Sequence, residues 1–129
     1  MKEELTDNGF KELLNADDVE TALSAKGTTL VMINSVCGCS AGTARPGVLM
    51  AVNNSTKKPT QITTSFAGFD VEAVNQVRKH LLPYPPSSPA IALFKDGELV
   101  HMIERHMIEG RSAQMIADNL IGAFDTHCN

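Results

Sequence analysis

The spacing of apolar and polar residues changes several times along the 129-residue chain, and each change marks an expected element. The stretch "FKELLNADDVETALSAKG" is helical in composition, broken near Asn15, with Asp17 or Asp18 available as an N-cap and Gly27 as a stop. Next, "TTLVMINS", residues 28 to 35, is β-branched and continuously apolar in its middle, which predicts a central parallel strand covered on both faces. From about Cys39 to Asn53, the residues Ala41, Ala44, Val48 and Val52 recur at helical spacing. Pro46 lies inside that segment and, lacking an N–H donor, predicts a kink.

"TQITTSFAG" reads as a second strand. "DVEAVNQVRKHLL" reads as a helix capped by Asp70, with Val74, Val77 and Leu81 on one face. After the turn-rich "PYPPSSP", the runs "AIALF" and "ELVHMIE" are joined by Asp96-Gly97, a strong hairpin signal, with Leu99 and either Met102 or Val100 facing inward. The last segment, "SAQMIADNLIGAFDTHC", aligns Ile116, Leu120 and Phe124 in one row, with Ala113, Ala117 and Ile121 beside it. Parallel crossovers followed by an antiparallel hairpin imply an α/β sheet with helices on both faces. Its functional edge is expected at the carboxyl ends of the parallel strands, where Cys37-Gly38-Cys39 falls. With no internal repeat or dividing linker, residues 1–129 read as a single domain, with about residues 1–27 as an N-terminal helical extension.

Composition narrows the function. The hydrophobic content of 43% is enough for one core, and a net charge of −4 gives no electrostatic reason to approach nucleic acid or an anionic membrane. "MKEELTDNGF" has no signal-peptide core, and no run approaches the roughly 18 apolar residues of a membrane span, so a cytoplasmic location is expected. Three cysteines are an odd count and too few for a disulfide scaffold. In a reducing compartment a close pair is more often catalytic, redox-active or metal-binding.

A cysteine at the start of a helix meets partial positive charge and unsatisfied N–H donors, which favour the nucleophilic thiolate. Cys37 is placed for that role. Two residues apart on a helix point about 200° away from each other, so a bond from Cys37 to Cys39 requires Cys37 to lie outside the helix. Gly38 supplies the backbone freedom for the sulfurs to approach. The small ring strains the bond and makes the couple relatively oxidising, suited to exchange or isomerisation. Two small residues filling a strand-to-helix corner is the bland reading. Zinc is a rival, but Cys128, His80, His101, His106 and His127 form no second spaced pair, and iron–sulfur binding lacks four thiolates, so no metal is expected. Cys128 ends a helix of about 16 residues that runs roughly 24 Å from the functional edge, and reads as inert or able only to link two chains. The histidines read as surface or partly buried polar residues.

The element order, the cysteines ahead of a Pro-containing helix, and "SSPAIALFKDGELV" resemble the thioredoxin fold, a three-layer sandwich around a mixed sheet with a C-terminal antiparallel hairpin. More specifically, "NSVCGCSAGTARPG", "YPPSSPAIALFKDGELVH", "RHMIEG" and "FDTHC" resemble the bacilliredoxin family of CXC-type thiol–disulfide isomerase-like proteins, over about residues 10 to 128. That resemblance implies removal of bacillithiol from mixed disulfides on oxidised proteins. Cys37 would be the nucleophile, and Cys39 or a second low-molecular-weight thiol the resolver. The resemblance further implies a substrate groove shaped by Gly38, Ser88 and Pro89, with Pro89 as the cis-proline of the fold. Bacillithiol would then be the co-substrate, with no bound cofactor, and the partners would be S-bacillithiolated or disulfide-bearing clients. The helix N-terminus and Arg45 could hold bacillithiol carboxylates, although a solvated Arg45 is the commoner situation. General disulfide isomerisation is the neighbouring alternative. A non-catalytic adaptor or metal-binding scaffold is the rival from another class.

Overall fold

The computed structural model describes residues 10–24, 26–34, 38–66, 70–81, 90–108 and 111–128, without the side chains of residues 34, 38–44, 66, 105 and 106. The elements are β1 (Lys11–Glu12), α1 (Ala16–Ser24), β2 (Thr28–Asn34), α2 (Gly38–Asn54) and β3 (Gln61–Phe66). They continue as α3 (Val71–His80), β4 (Ala90–Lys95), β5 (Glu98–Ile103), α4 (Arg105–Ile108) and α5 (Ala113–His127). The sheet order is β1-β3-β2-β4-β5. β3 pairs in parallel with both β1 and β2, whereas β4 is antiparallel to β2 and to β5.

Strand alternation divides the interior into two cores, one on each face of the sheet. Leu30 and Met32 of β2, with Ile91 and Leu93 of β4, pack under α2, α4 and α5 against Val48, Ile108, Ile116 and Phe124. Val31 and Ile33, with Ala92 and Phe94, face the other way and meet Val19 and Leu23 of α1 and Val74 and Val77 of α3. The expected mixed α/β sheet with helices on both faces is therefore present.

The N-terminal reading needs correction. Residues 11–12 are not helical: they form the edge strand β1, with Lys11 opposite Thr63 and Glu12 opposite Thr64. Phe10 and Leu13 explain why. They are three apart, which puts them on one face of a helix but on opposite faces of a strand, and here Phe10 enters one core and Leu13 the other. Among the described residues, the helical part of the expected extension is α1, and residues 1–9 lie outside them. Its cap is Asn15, neither Asp17 nor Asp18: the Asp18 N–H donates to Asn15 Oδ1 at 2.9 Å, and the Leu14 N–H donates to Asp18 Oδ2 at 3.1 Å.

The Asp96-Gly97 turn has φ of 52° and 85°, the doubly left-handed geometry of a tight hairpin. It also locks the α1–β2 connection. The Gly27 N–H donates to Asp96 Oδ1 at 2.8 Å, and the Asp96 N–H donates to the Gly27 carbonyl at 2.8 Å. Beyond the turn, an irregularity between Leu93 and Phe94 shifts the register of β5. As a result both Leu99 and Met102 face the α1/α3 core, and Val100 packs on the other side.

Asp96→Ala is expected to remove one arm of this lock and cost about 1–2 kcal/mol, read as a lower urea midpoint at unchanged slope. A second expectation concerns Glu20, which accepts hydrogen bonds from Gln76 and His80 of α3. The hydrogen bond from His80 holds its carboxyl below the ordinary value of 4.5. The stabilisation from this ionised group is present above that value and is lost as pH falls through its lower folded value. Thermal melts across pH 5 to 3 are expected to fall more steeply for the wild type than for Glu20→Gln.

Candidate active site

Two chain features bring the candidate site to one edge of the sheet. β2 ends at Asn34 and α2 begins at Gly38, so the Cys37-Gly38-Cys39 run spans the entry into α2. Ala90, which follows Pro89 in the chain, pairs with Ile33, so β4 begins at the same edge where β2 ends. Gly38 and Cys39 are the first two residues of α2, on the positive end of its dipole. Cys37, Ser88 and Pro89 lie outside the described residues, as does the Cys39 side chain. The structure thus fixes the strand end, the helix start and the strand beginning that flank them.

What aims α2 at that edge is its packing on α5. Val48 and Ala51 are fully buried, and Gly47 lies so close to α5 that an added Cβ would stand 2.8 Å from Ile116 Cβ and 3.1 Å from the Ala113 carbonyl. Sequence reasoning missed Gly47, because its neighbours belong to a helix more than 60 residues later. Pro46 falls in the interior of α2, as expected, and removes one helical N–H donor just ahead of this contact. Arg45, expected to be solvated, is half-buried, with its Nη1 shut off from solvent.

Other candidates are dispersed. His80 bonds Glu20, and His101 Nε2 meets Asn119 Oδ1 at 2.7 Å. The side chain of His106 lies outside the described ones. Among the described residues, no three His, Cys, Asp or Glu side chains converge as metal ligands, and no helix is long and apolar enough to cross a membrane. Cys128 is a free thiol, only 4% exposed, inside the core under α2 and α5. Three residues earlier, the Asp125 carbonyl accepts from Lys57 Nζ at 3.3 Å, just beyond the end of α2. Cys128 therefore lies by the far end of α2, about 24 Å along the axis from Gly38 at 1.5 Å per residue. Burial corrects one half of its expected reading: this thiol is not presented for linking two chains.

Solved structures with this fold include thioredoxins. The mitochondrial thioredoxin 3 of Saccharomyces cerevisiae superimposes with a TM-score of 0.60 at 11% identity, over 92% of this chain and 96% of its own. The thioredoxin of Fasciola hepatica gives 0.63 at 15% identity, over 92% and 99%. At such identities the likeness is one of fold, and it defines a thioredoxin-fold protein with its cysteine run at the start of α2. A family model described as Disulphide isomerase matches residues 1–128. A bacilliredoxin of Cytophaga hutchinsonii is 58% identical over 125 residues, covering 97% of this chain and 92% of the relative. One from Bacillus licheniformis is 50% identical over 129 residues, covering 99% and 90%. The chain belongs to the bacilliredoxin family, and its class of activity is that of a thiol–disulfide oxidoreductase.

The two glycines of the α2–α5 layer give opposed expectations. Gly47→Ala forces the helices apart and is expected to cost about 1–3 kcal/mol. Gly122→Ala, in α5 with no atom within 4 Å of the new Cβ, is expected to gain about 0.5–1 kcal/mol through helix propensity. Chemical denaturation of the two variants checks both signs.

Proposed function

We propose that this chain removes bacillithiol from mixed disulfides on proteins in the cytoplasm, with Cys37 as nucleophile. The reading is supported chiefly by the position of the Cys37-Gly38-Cys39 run at the N-terminus of a 17-residue helix, at the edge where β2 ends and β4 begins. There the helix dipole favours a thiolate. The name shared by the bacilliredoxin relatives supports the choice of thiol.

In the first step the Cys37 thiolate attacks the bacillithiol sulfur. The protein–bacillithiol S–S bond breaks, its electron pair leaves with the protein sulfur, and that thiolate takes a proton from water. Cys37 now carries bacillithiol in a mixed disulfide. The Cys39 thiolate then attacks Cys37 Sγ and expels bacillithiol, leaving a Cys37–Cys39 disulfide; a second low-molecular-weight thiol attacking the adduct is the alternative resolver. An external thiol pair supplies the two electrons that return the Cys37–Cys39 disulfide to the dithiol. In this reading Ser88 and Pro89, which precede β4 in the chain, would shape the groove for the client strand, and Gly38 would allow the close approach of the two sulfurs. No bound cofactor is required for these steps.

General disulfide isomerisation is a second reading, favoured by the description of the family model. The two readings differ in substrate: an isomerase rearranges a scrambled disulfide protein, whereas the proposed enzyme acts on a bacillithiolated one.

With a bacillithiolated client and mass-spectrometric detection of released bacillithiol, Cys37→Ser is expected to lose transfer at least a hundredfold. Cys39→Ser is expected to complete the first transfer and stop as a stable +bacillithiol adduct of the enzyme. Retained turnover in the Cys37 variant overturns the mechanism.

A further inference from the structure

The end of β5 opens onto a feature that this mechanism leaves unused. Ile103, Met107, Arg111, Met115, Ile116 and Asn119 line a shallow, solvent-open hollow between α4 and the first turns of α5. We infer that this hollow seats the carboxylate-bearing, non-thiol end of the low-molecular-weight thiol while its sulfur is exchanged at Cys37. The inference rests on the reading of Cys37 as the exchanging nucleophile and names where the rest of the co-substrate is held.

Topology brings the hollow to the right edge. β5 is antiparallel to β4, which is antiparallel to β2, so β5 and β2 end on the same side of the sheet. α5 then runs alongside α2 in the same direction, with Gly47 beside Ala113 and Ile116 and Lys57 beside Asp125. Gly47 is nine residues into α2, about 14 Å from its start at 1.5 Å per residue. Arg111 precedes Ala113 and so lies nearer the level of Gly38, across a helix spacing of about 8–10 Å. A ligand group on the order of 10 Å from the exchanging sulfur can therefore reach its guanidinium.

The chemistry of the walls fits such a group. Ile103 and Ile116 are buried and, with Met107 and the half-exposed Met115, give an apolar floor that matches a carbon skeleton. Arg111 is exposed at the rim, and among the described residues no carboxylate or carbonyl meets its guanidinium, in a chain whose 15 acidic residues outnumber its 11 Lys and Arg. A fork of N–H donors that meets no acceptor among the described residues is suited to a bidentate carboxylate. Asn119 Oδ1 accepts from His101 Nε2 at 2.7 Å, which leaves the Asn119 Nδ2 as a further donor. The first turn of α5, where the Ser112 hydroxyl accepts from the Met115 N–H, adds the positive end of a 15-residue helix.

The test uses one client protein carried as two mixed disulfides, one with bacillithiol and one with uncharged 2-mercaptoethanol, so that any difference belongs to the thiol. The readout is the ratio of the two kcat/KM values. Arg111→Glu is expected to lower that ratio at least tenfold, Arg111→Lys to retain most of it, and Lys95→Glu, the same charge change at the opposite end of β4, to leave it unaltered. A ratio that Arg111→Glu does not change overturns the hollow while leaving exchange at Cys37 intact. If the wild type moves neither disulfide, the exchange reading itself falls. The hollow is then judged by titrating S-methylated bacillithiol into the Cys37→Ser protein and following backbone amide shifts. Shifts at Arg111 and Asn119 that vanish in Arg111→Glu support it, and their absence overturns it.

Discussion

Strand β2 is hydrogen-bonded along both edges, in parallel to β3 and antiparallel to β4, while its side chains enter both cores in strict alternation. Leu30, Val31, Met32 and Ile33 are each at most 1% exposed. Burial of this kind contributes about 1.5–3 kcal/mol per side chain as an upper figure, and a one-residue slip would reverse every one of the four. The register of β2 is thereby held by both halves of the molecule at once. The start of α2 at Gly38 follows this fixed strand end by only four residues.

Strand position alone does not orient a helix, and the second constraint is the α2–α5 contact. Glycine at 47 lets the two helices approach closely enough for Ile116 to lie against bare backbone. The side chains on either side of this contact, Val48 and Ala51 on α2 and Ala117 and Leu120 on α5, are buried in the same core. The direction of α2, and with it the direction of its dipole, is thus set by residues from the last quarter of the chain. A chain-local change near the cysteines and a packing change near Gly47 act on the same geometry by different routes.

The parts of this arrangement that were legible in the sequence are those whose cause is local. "TTLVMIN" carries its two-sided burial in composition, Asp96-Gly97 carries its left-handed turn in residue type, and the cysteine run sits where a strand pattern gives way to a helical one. β1 was not legible, because two residues become a strand only through pairing with β3 some 50 positions later, and Phe10 and Leu13 fit a helix face equally well by spacing. Gly47 and the half-burial of Arg45 were hidden for the same reason. The cap at Asn15 was missed because Asp17 and Asp18 offered equally good side chains two and three residues further on, and only the backbone path decides between them.

The placement of the third cysteine bears on how electrons enter the site. Cys128 is buried in the α2/α5 core, by the end of α2 remote from Gly38, and its N–H is fixed on the Phe124 carbonyl at 2.8 Å. A disulfide requires Cα atoms within about 7 Å, far less than the length of α2. Cys128 is therefore sequestered from exchange by distance as well as by burial, and its side chain serves the core as a small apolar group. Were Cys37 and Cys39 to form the proposed disulfide, Cys128 would lie too far away to relieve it, and the reducing equivalents would have to come from an external thiol. A small thiol that served as both leaving group and reductant, as proposed, would pass over the same ground twice. A site that recognised its carboxylate would act on both passages, slowing its departure while raising its local concentration for the return.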